Sequence, residues 1–238
     1  MNSQLIRLTM VQCALQPRNW LFPVGLVIVI IMGALHGASK WNDFYTSAAL
    51  LLELFPFLVC AGIIASEVES GRTQLLQSLG ISRSTFIISR ILGAAAFCLL
   101  VTSTIQIVLG IYLGLAYHKT DWLGAVRVFL GSGILFMYCV SLLTLFSTII
   151  RSWGNTLAAF FLCLMVPTYL QLYWSLRPTL MRVVHLTLWG PLYITFMPPD
   201  AKDHVIGDML IIALGMASFV ALAIFIFQRS EIARRANV

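Results

Sequence analysis

Long apolar runs alternate with short polar segments along the whole chain. A helix that crosses the roughly 30 Å hydrocarbon core of a bilayer needs about 20 residues. Most of these runs reach that length, and the first must borrow from its flanks. The pattern predicts an all-α polytopic membrane protein, with one transmembrane domain over residues 1–238. The six predicted spans are residues 20–35, 45–66, 91–117, 128–150, 155–176 and 206–227.

The segment before the first span, residues 1–19, mixes apolar with polar side chains. Leu8, Val11 and Leu15 recur at helical spacing, and Pro17 ends the pattern. We therefore predict an N-terminal interfacial helix that lies on the membrane surface. A disordered tail is the alternative.

A second apolar segment, residues 183–197, is too short to span, because it has only 15 residues and is broken at Gly190-Pro191. We expect a short external re-entrant hairpin before the sixth span. A seventh span is the alternative, and it would place the C-terminus on the opposite side of the membrane.

Composition supports a membrane location. Hydrophobic residues make up 60% of the chain and charged residues 10%, whereas soluble domains carry about 25% charged residues. The net charge of +6 fits basic residues beside spans and anionic lipid better than nucleic acid, so no nucleic-acid partner is expected.

The basic residues also predict an orientation. With both termini in the cytoplasm, nine of the fifteen Lys and Arg residues lie on the cytoplasmic side, as basic residues in membrane proteins tend to do. These nine are Arg7, Arg18, Arg72, Arg83, Arg90, Arg151, Arg229, Arg234 and Arg235.

Several familiar chemistries are missing from the sequence. The chain has no G-x-x-x-x-G-K-[ST] phosphate loop and no H-E-x-x-H metal motif. Its five cysteines form no C-x-x-C pair, and four of them lie in apolar runs, which indicates buried inert thiols. We therefore expect no catalytic residue, no metal site and no cofactor in this chain.

The connector between the second and third predicted spans, residues 67–90, holds two of the nine acidic residues and three of the fifteen basic ones. Leu75, Leu76 and Leu79 fall on one face of a helix predicted at residues 70–80. Ser70 is placed to accept a hydrogen bond at the start of this helix. Gly80 is placed to close it in a left-handed conformation, and Ser82 can cap the next helix.

The order E-x-E-x-G-x-T-x-L-L-x-S-L, then S-R, then a basic residue seven positions on, resembles the signature of type 2 ATP-binding-cassette (ABC) transporter permeases. The family usually has Pro where this chain has Gly80, and Lys more often than Arg at position 90. The residues that match are Glu67, Glu69, Gly71, Thr73, Leu75, Leu76, Leu79, Ser82, Arg83 and Arg90.

The resemblance implies a permease subunit of an exporter in the bacterial cytoplasmic (inner) membrane, which itself is not an enzyme. Two permeases, identical or paralogous, would form a dimer, and two copies of a separate ABC ATPase subunit would bind ATP and Mg. Membrane lipid surrounds such a dimer. The coupling residues implied are Glu67, Glu69, Gly71, Arg72, Thr73, Leu75, Leu76, Leu79, Gly80, Ser82 and Arg83.

Glu53 lies inside the second predicted span, where an ionised carboxylate costs roughly 2.5 to 3.5 kcal/mol at mid-membrane. It therefore should face protein or water. One interpretation is a residue on the substrate path. The other is a carboxyl that reaches the interface or bonds a neighbouring helix.

Two other functions stay open from the sequence. An intramembrane protease or lipid hydrolase would need catalytic residues at matched depth, and Gly131-Ser132-Gly133 is not the G-x-S-x-G of serine hydrolases. A non-transporting membrane anchor or sensor docked to an ATPase is the third possibility.

Overall fold

A computed structural model describes residues 3–35, 55–56, 58–60, 63–64, 67–68, 71, 73, 78–117, 122–150 and 205–235. The part of the chain so described is helical and contains no strand, as the hydrophobic pattern predicts. Its elements are α1 (Ser3–Leu15), a 3-10 helix (Pro17–Trp20), α2 (Leu21–Leu35), α3 (Arg83–Tyr117), α4 (Trp122–Ile149) and α5 (Val205–Arg235).

Two stretches of helix are long and apolar enough to cross a membrane. They are Arg83–Tyr112 in α3 and Met209–Arg229 in α5, with 30 and 21 residues. At 1.5 Å per residue these stretches are about 45 Å and about 31 Å long, so each reaches across a hydrocarbon core of roughly 30 Å.

Helices α2 to α5 coincide with four of the predicted spans but extend past three of them. Helix α3 begins at Arg83, eight residues before the apolar run predicted as the third span. Backbone hydrogen bonding does not stop where hydropathy falls, so a capped helix continues into polar sequence. Outside the described residues lie Glu53, the fifth predicted span and the predicted hairpin.

The second predicted span, residues 45–66, differs from one uninterrupted helix in its described part. Residues 58–60 are helical, but Ile63 and Ile64 form a turn. The N–H of Ile63 donates to the carbonyl of Cys60 at 3.1 Å, which is the tighter spacing of a turn. Helical conformation resumes at Glu67 and Val68.

The corner after α1 is fixed by side chains. Helix α1 ends at Leu15, just before Pro17, as predicted. The Asn19 side-chain amide donates to the carbonyl of Cys13 at 2.8 Å, and the Trp20 indole donates to the carbonyl of Ala14 at 2.8 Å. Both bonds satisfy carbonyls that the end of a helix leaves free. Helix α1 and the segment Pro17–Met32 meet at 78°.

Helix α3 is the centre of the described bundle. It packs against α1 and α4, and also contacts α5 and α2. Its Phe97 faces the rings of Trp20 and Phe55, with centroids 6.4 and 6.2 Å away. Phe55 also meets Phe136 of α4 edge to face at 6.2 Å, a favourable aromatic geometry.

Candidate functional site

The start of the connector is a tight turn at Gly71. Its φ is +70°, a left-handed conformation that glycine adopts without steric penalty. The N–H of Gly71 donates to the carbonyl of Val68 at 3.2 Å. Gly71, which the predicted helix at residues 70–80 includes, therefore lies in a turn. Thr73, which is helical, donates its hydroxyl to the carbonyl of Glu67 at 3.3 Å.

The side chain of Glu67 points to α3, where it meets Arg90. Glu67 Oε2 and an Arg90 guanidinium nitrogen are 3.0 Å apart, and the two side chains are only 7% and 3% exposed. The Arg90 guanidinium also lies 5.2 Å from the centre of the Phe86 ring. A buried ion pair of this kind is strongly position-dependent, because displacing one partner leaves the other charge uncompensated.

Helix α1 supplies the other two members of this cluster. The Gln12 amide oxygen accepts from Arg90 Nη1, and its amide nitrogen donates to Glu67 Oε1 at 3.4 Å. The Thr9 hydroxyl accepts from Arg90 Nη1 at 3.2 Å. We call Thr9, Gln12, Glu67 and Arg90 the polar cluster. It joins α1, the start of the connector and α3 in one network.

The cluster forms because α1 crosses α3 closely at Gly93. A Cβ atom at position 93 would lie 2.5 Å from Thr9 Cβ and 2.9 Å from the carbonyl oxygen of Ile6. No larger residue fits there without displacement. The absence of a side chain at Gly93 thus lets α1 approach until Thr9 is within hydrogen-bonding distance of Arg90.

The part of the connector just before α3 is exposed. Leu79 is 69% exposed, and Gly80 has φ of +78°, which confirms its predicted left-handed conformation. The N–H of Thr85 donates to the Ser82 hydroxyl oxygen at 3.2 Å, so Ser82 caps α3 as predicted. Proline holds φ near −65°, so the Pro typical of the resembled family cannot adopt the turn found at Gly80.

Several chain segments meet at this end of the bundle. Arg83 at the start of α3 donates to the carbonyl of Gln228 in α5 at 3.2 Å. The rings of Phe86 and Phe227 stack with centroids 6.2 Å apart. In α4, the hydroxyl oxygen of Ser147 accepts from the N–H of Ile64 at 3.2 Å. The polar cluster therefore lies where α3 begins and where α4 and α5 end.

The predicted coupling residues divide into three groups. Glu67 and Thr73 lie together at the polar cluster, where Glu67 pairs with Arg90 of the matched motif, and Gly71 makes the turn between them. Leu79, Gly80, Ser82 and Arg83 lie where the connector enters α3. Outside the described residues lie Glu69, Ser70, Arg72, Leu75 and Leu76.

Thr9 and Gln12 were not predicted as site residues. The prediction for α1 depended on its apolar residues Leu8, Val11 and Leu15, which are exposed. The signal in the sequence was that Thr9 and Gln12, which are polar, are three residues apart and so lie on neighbouring positions of the helix surface, beside the apolar face. Nothing in the local sequence pairs them with Arg90.

The described cysteines are buried, as predicted for inert thiols. Cys13, Cys60, Cys98 and Cys139 are free and buried. Burial raises the pKa of the Cys13 thiol to about 11, although Arg90 and Arg18 oppose the shift. The thiol is therefore neutral and unreactive near pH 7. Among the described residues, no three His, Cys, Asp or Glu side chains gather as metal ligands would.

Sequence comparison gives no further guide to this arrangement. No protein-family model matches the chain, and no curated protein has significant similarity to it.

Proposed function

We propose that this chain is the transmembrane permease subunit of an ABC exporter, driven by a separate ATPase. Two copies, or one copy and a paralogue, would form a dimer in a bacterial cytoplasmic membrane with both termini in the cytoplasm. Two ATPase subunits, which bind ATP and Mg, would dock on the connectors. Nucleotide-driven movement of the ATPases would shift the connectors and open a path for export between the permeases.

The observation that carries this proposal is the buried ion pair between Glu67 and Arg90. It connects the start of the connector to α3 at Arg90, eight residues after the capping residue Ser82. A force on the connector therefore reaches α3 through a contact that cannot slide without exposing or separating two buried charges. Thr73 adds a second link, because its hydroxyl bonds the Glu67 carbonyl from within the connector.

The exposed apolar side chain of Leu79 supports a docking role. It is 69% exposed in a connector that also contains the charged Arg72 and several polar side chains. A single exposed apolar side chain is common on protein surfaces, whereas a contiguous apolar patch rimmed by polar residues is typical of a protein contact. Leu75 and Leu76 share its predicted helical face, and together they would form the apolar surface that an ATPase subunit grips.

The test is purification of the tagged full-length chain from native membranes, with its partners identified and ATP hydrolysis measured. We expect a stoichiometric partner that carries the G-x-x-x-x-G-K-[ST] loop. Combined Leu75→Asp, Leu76→Asp and Leu79→Asp substitutions should abolish its retention. Combined Gln74→Asp and Gln77→Asp substitutions, on the opposite predicted face of the same helix, are the control for added charge and should retain the partner.

Two results would contradict the proposal. One is full retention of the ATPase by the triple Asp variant, which would remove the coupling role of the connector. The other is an active, correctly inserted chain whose membranes contain no associated ATPase. That result would favour an anchor or an intramembrane enzyme.

A further inference from the structure

We infer that Thr9 and Gln12 are positioning residues that make α1 move together with the connector and α3. The inference rests on the proposed function, because it names the residues that would carry a push on the connector into the first helix. It adds α1 to the moving part of the molecule, whereas the connector motif alone concerns only the second and third spans.

The first step is the pattern of contacts. The ion pair of Glu67 with Arg90 links the connector to α3 without α1. Gln12 contacts both partners, since it accepts from Arg90 and donates to Glu67. Thr9 contacts Arg90 alone. Removing Thr9 or Gln12 therefore weakens the attachment of α1 and leaves the ion pair in place.

The second step is the precision with which α1 is held. The Thr9 hydroxyl donates to the carbonyl of Leu5 at 2.9 Å, so its oxygen is oriented to accept from Arg90. Thr9 is 1% exposed and lies against Gly93. A rotation or a slide of α1 would therefore break the hydrogen bond and the close packing together.

The third step is the route onward to α2. Asn19 and Trp20 bond the last carbonyls of α1 across the corner, so a displacement of α1 is passed to the start of α2. The outward face of α1 carries Leu8, Val11 and Leu15, which are exposed. An apolar face of this kind can move along the membrane surface without losing burial in lipid.

The experiment measures distances in the full chain with its ATPase, reconstituted in lipid nanodiscs. Spin labels are placed on Cys residues introduced at Arg7 of α1 and Ser78 of the connector, both exposed, after Cys163→Ser. The distance between the labels at positions 7 and 78 is called the 7–78 distance. We expect its distribution to be narrow, and to be the same without nucleotide and with ATP and vanadate. A second pair, at Arg7 and Ile149 of α4, should shift on addition of ATP and vanadate.

The matched variants are Thr9→Val, which keeps the shape and loses the hydroxyl, and Thr9→Ser, which keeps the hydroxyl. Thr9→Val and Gln12→Ala should lose the narrow 7–78 distribution and make it depend on nucleotide, with the ATPase still bound. Thr9→Ser should behave as the parent chain does. Val11→Ala on the exposed face is the control for any change in α1.

The outcomes separate this inference from the proposed function. A 7–78 distribution that stays narrow and nucleotide-independent in both Thr9→Val and Gln12→Ala overturns the inference, as does a nucleotide-dependent 7–78 distance in the parent chain. If no ATPase binds the parent chain, the proposed function is overturned, and so is the inference that α1 moves when an ATPase pushes the connector. The nucleotide-free comparison of Thr9→Val with Thr9→Ser would still decide whether Thr9 holds α1 in place.

Discussion

Arg90 is the residue on which the polar cluster depends. Its guanidinium is nearly fully buried and contacts Glu67, Gln12 and Thr9 at once. Arginine suits this position because its planar group presents five donors in fixed directions. Each acceptor is supplied by a different residue, so the position of Arg90 fixes three side chains from two other segments.

Glu67→Gln should destabilise the protein strongly. The change keeps the shape but leaves the buried charge of Arg90 uncompensated, which costs about 3–5 kcal/mol for a pair of this kind. Thermal unfolding in detergent measures the loss. Adding Arg90→Met in the Glu67→Gln background removes the stranded charge and should recover part of the stability. A single Glu67→Gln variant as stable as the parent would show that the pair does not stabilise the fold.

Gly80 should tolerate Asn better than Ala, and Ala better than Pro. Its φ is +78°, and nothing lies within 4 Å of a Cβ built there, so the cost comes from the backbone alone. A residue with a Cβ in the left-handed region costs roughly 1–2 kcal/mol, and Asn is the residue best able to adopt it. Proline cannot.

Thermal unfolding of the three Gly80 variants tests this order, and so does their retention of the proposed ATPase. If Gly80→Pro behaves like the parent chain, the connector does not need the left-handed turn, and it can adopt the geometry of the family that it resembles.

At the scale of the elements, the crossing of α1 over α3 is set by the lack of a side chain at Gly93. Leu5, Thr9 and Cys13 form the buried face of α1. They lie one turn apart, so that one stripe of the helix packs on α3 along its length. The corner at Pro17 holds α1 at a steep angle to the following helix. As a result, one face of α1 packs into the core and the other face is exposed.

Gly93→Ala should therefore separate α1 from α3. The added methyl group would meet Thr9 Cβ at 2.5 Å, and overpacking of a tight core typically costs about 1–3 kcal/mol. Gly133→Ala in α4 is the matched control, because its nearest neighbour would be Leu99 Cδ2 at 3.5 Å, an ordinary contact.

Thermal unfolding compares the two Gly→Ala variants. Alanine is a better helix former than glycine, so the Gly133 variant should be as stable as the parent chain or more so. Equal stability of both variants would show that the close approach at Gly93 does not limit packing.

At the scale of the whole molecule, the contacts place several segments at one end of the bundle. Arg83 bonds Gln228 in α5, and Ile64 bonds Ser147 in α4, while α1 joins through the polar cluster. The connector, α1 and the last turns of α5 therefore share one side of any membrane that the helices cross. The excess of basic residues predicts that this side is cytoplasmic.

Accessibility of introduced cysteines tests that arrangement. In a chain with Cys163→Ser, background reaction should be slow, because the described thiols are buried and the raised pKa of Cys13 keeps it protonated below about pH 11. Ser78→Cys and Arg229→Cys should react with an impermeant reagent only after the membrane is opened. Lys40→Cys lies between the first and second predicted spans, on the external side when the N-terminus is cytoplasmic, and should react in intact cells. Reaction of Ser78→Cys in intact cells would exclude contact of the connector with a cytoplasmic ATPase.

The sequence by itself determined the local features of this protein. Apolar runs predicted helices, Pro17 predicted the end of α1, and Gly80 and Ser82 predicted the turn and cap before α3. Each of these depends on backbone chemistry within a few residues. The turn at Gly71 was not predicted, because a glycine is compatible with both helical and left-handed conformations.

Only the tertiary structure decided which residues form the polar cluster. Gln12 meets Glu67 across 55 residues, and Thr9 meets Arg90 across 81. Such contacts depend on where α1 crosses α3, which is set by packing at Gly93 and by the corner at Asn19. Periodicity along one helix shows which face is polar, but it does not show which distant residue that face meets. The sequence therefore supplied the helices and the connector, and packing supplied the contacts that join them.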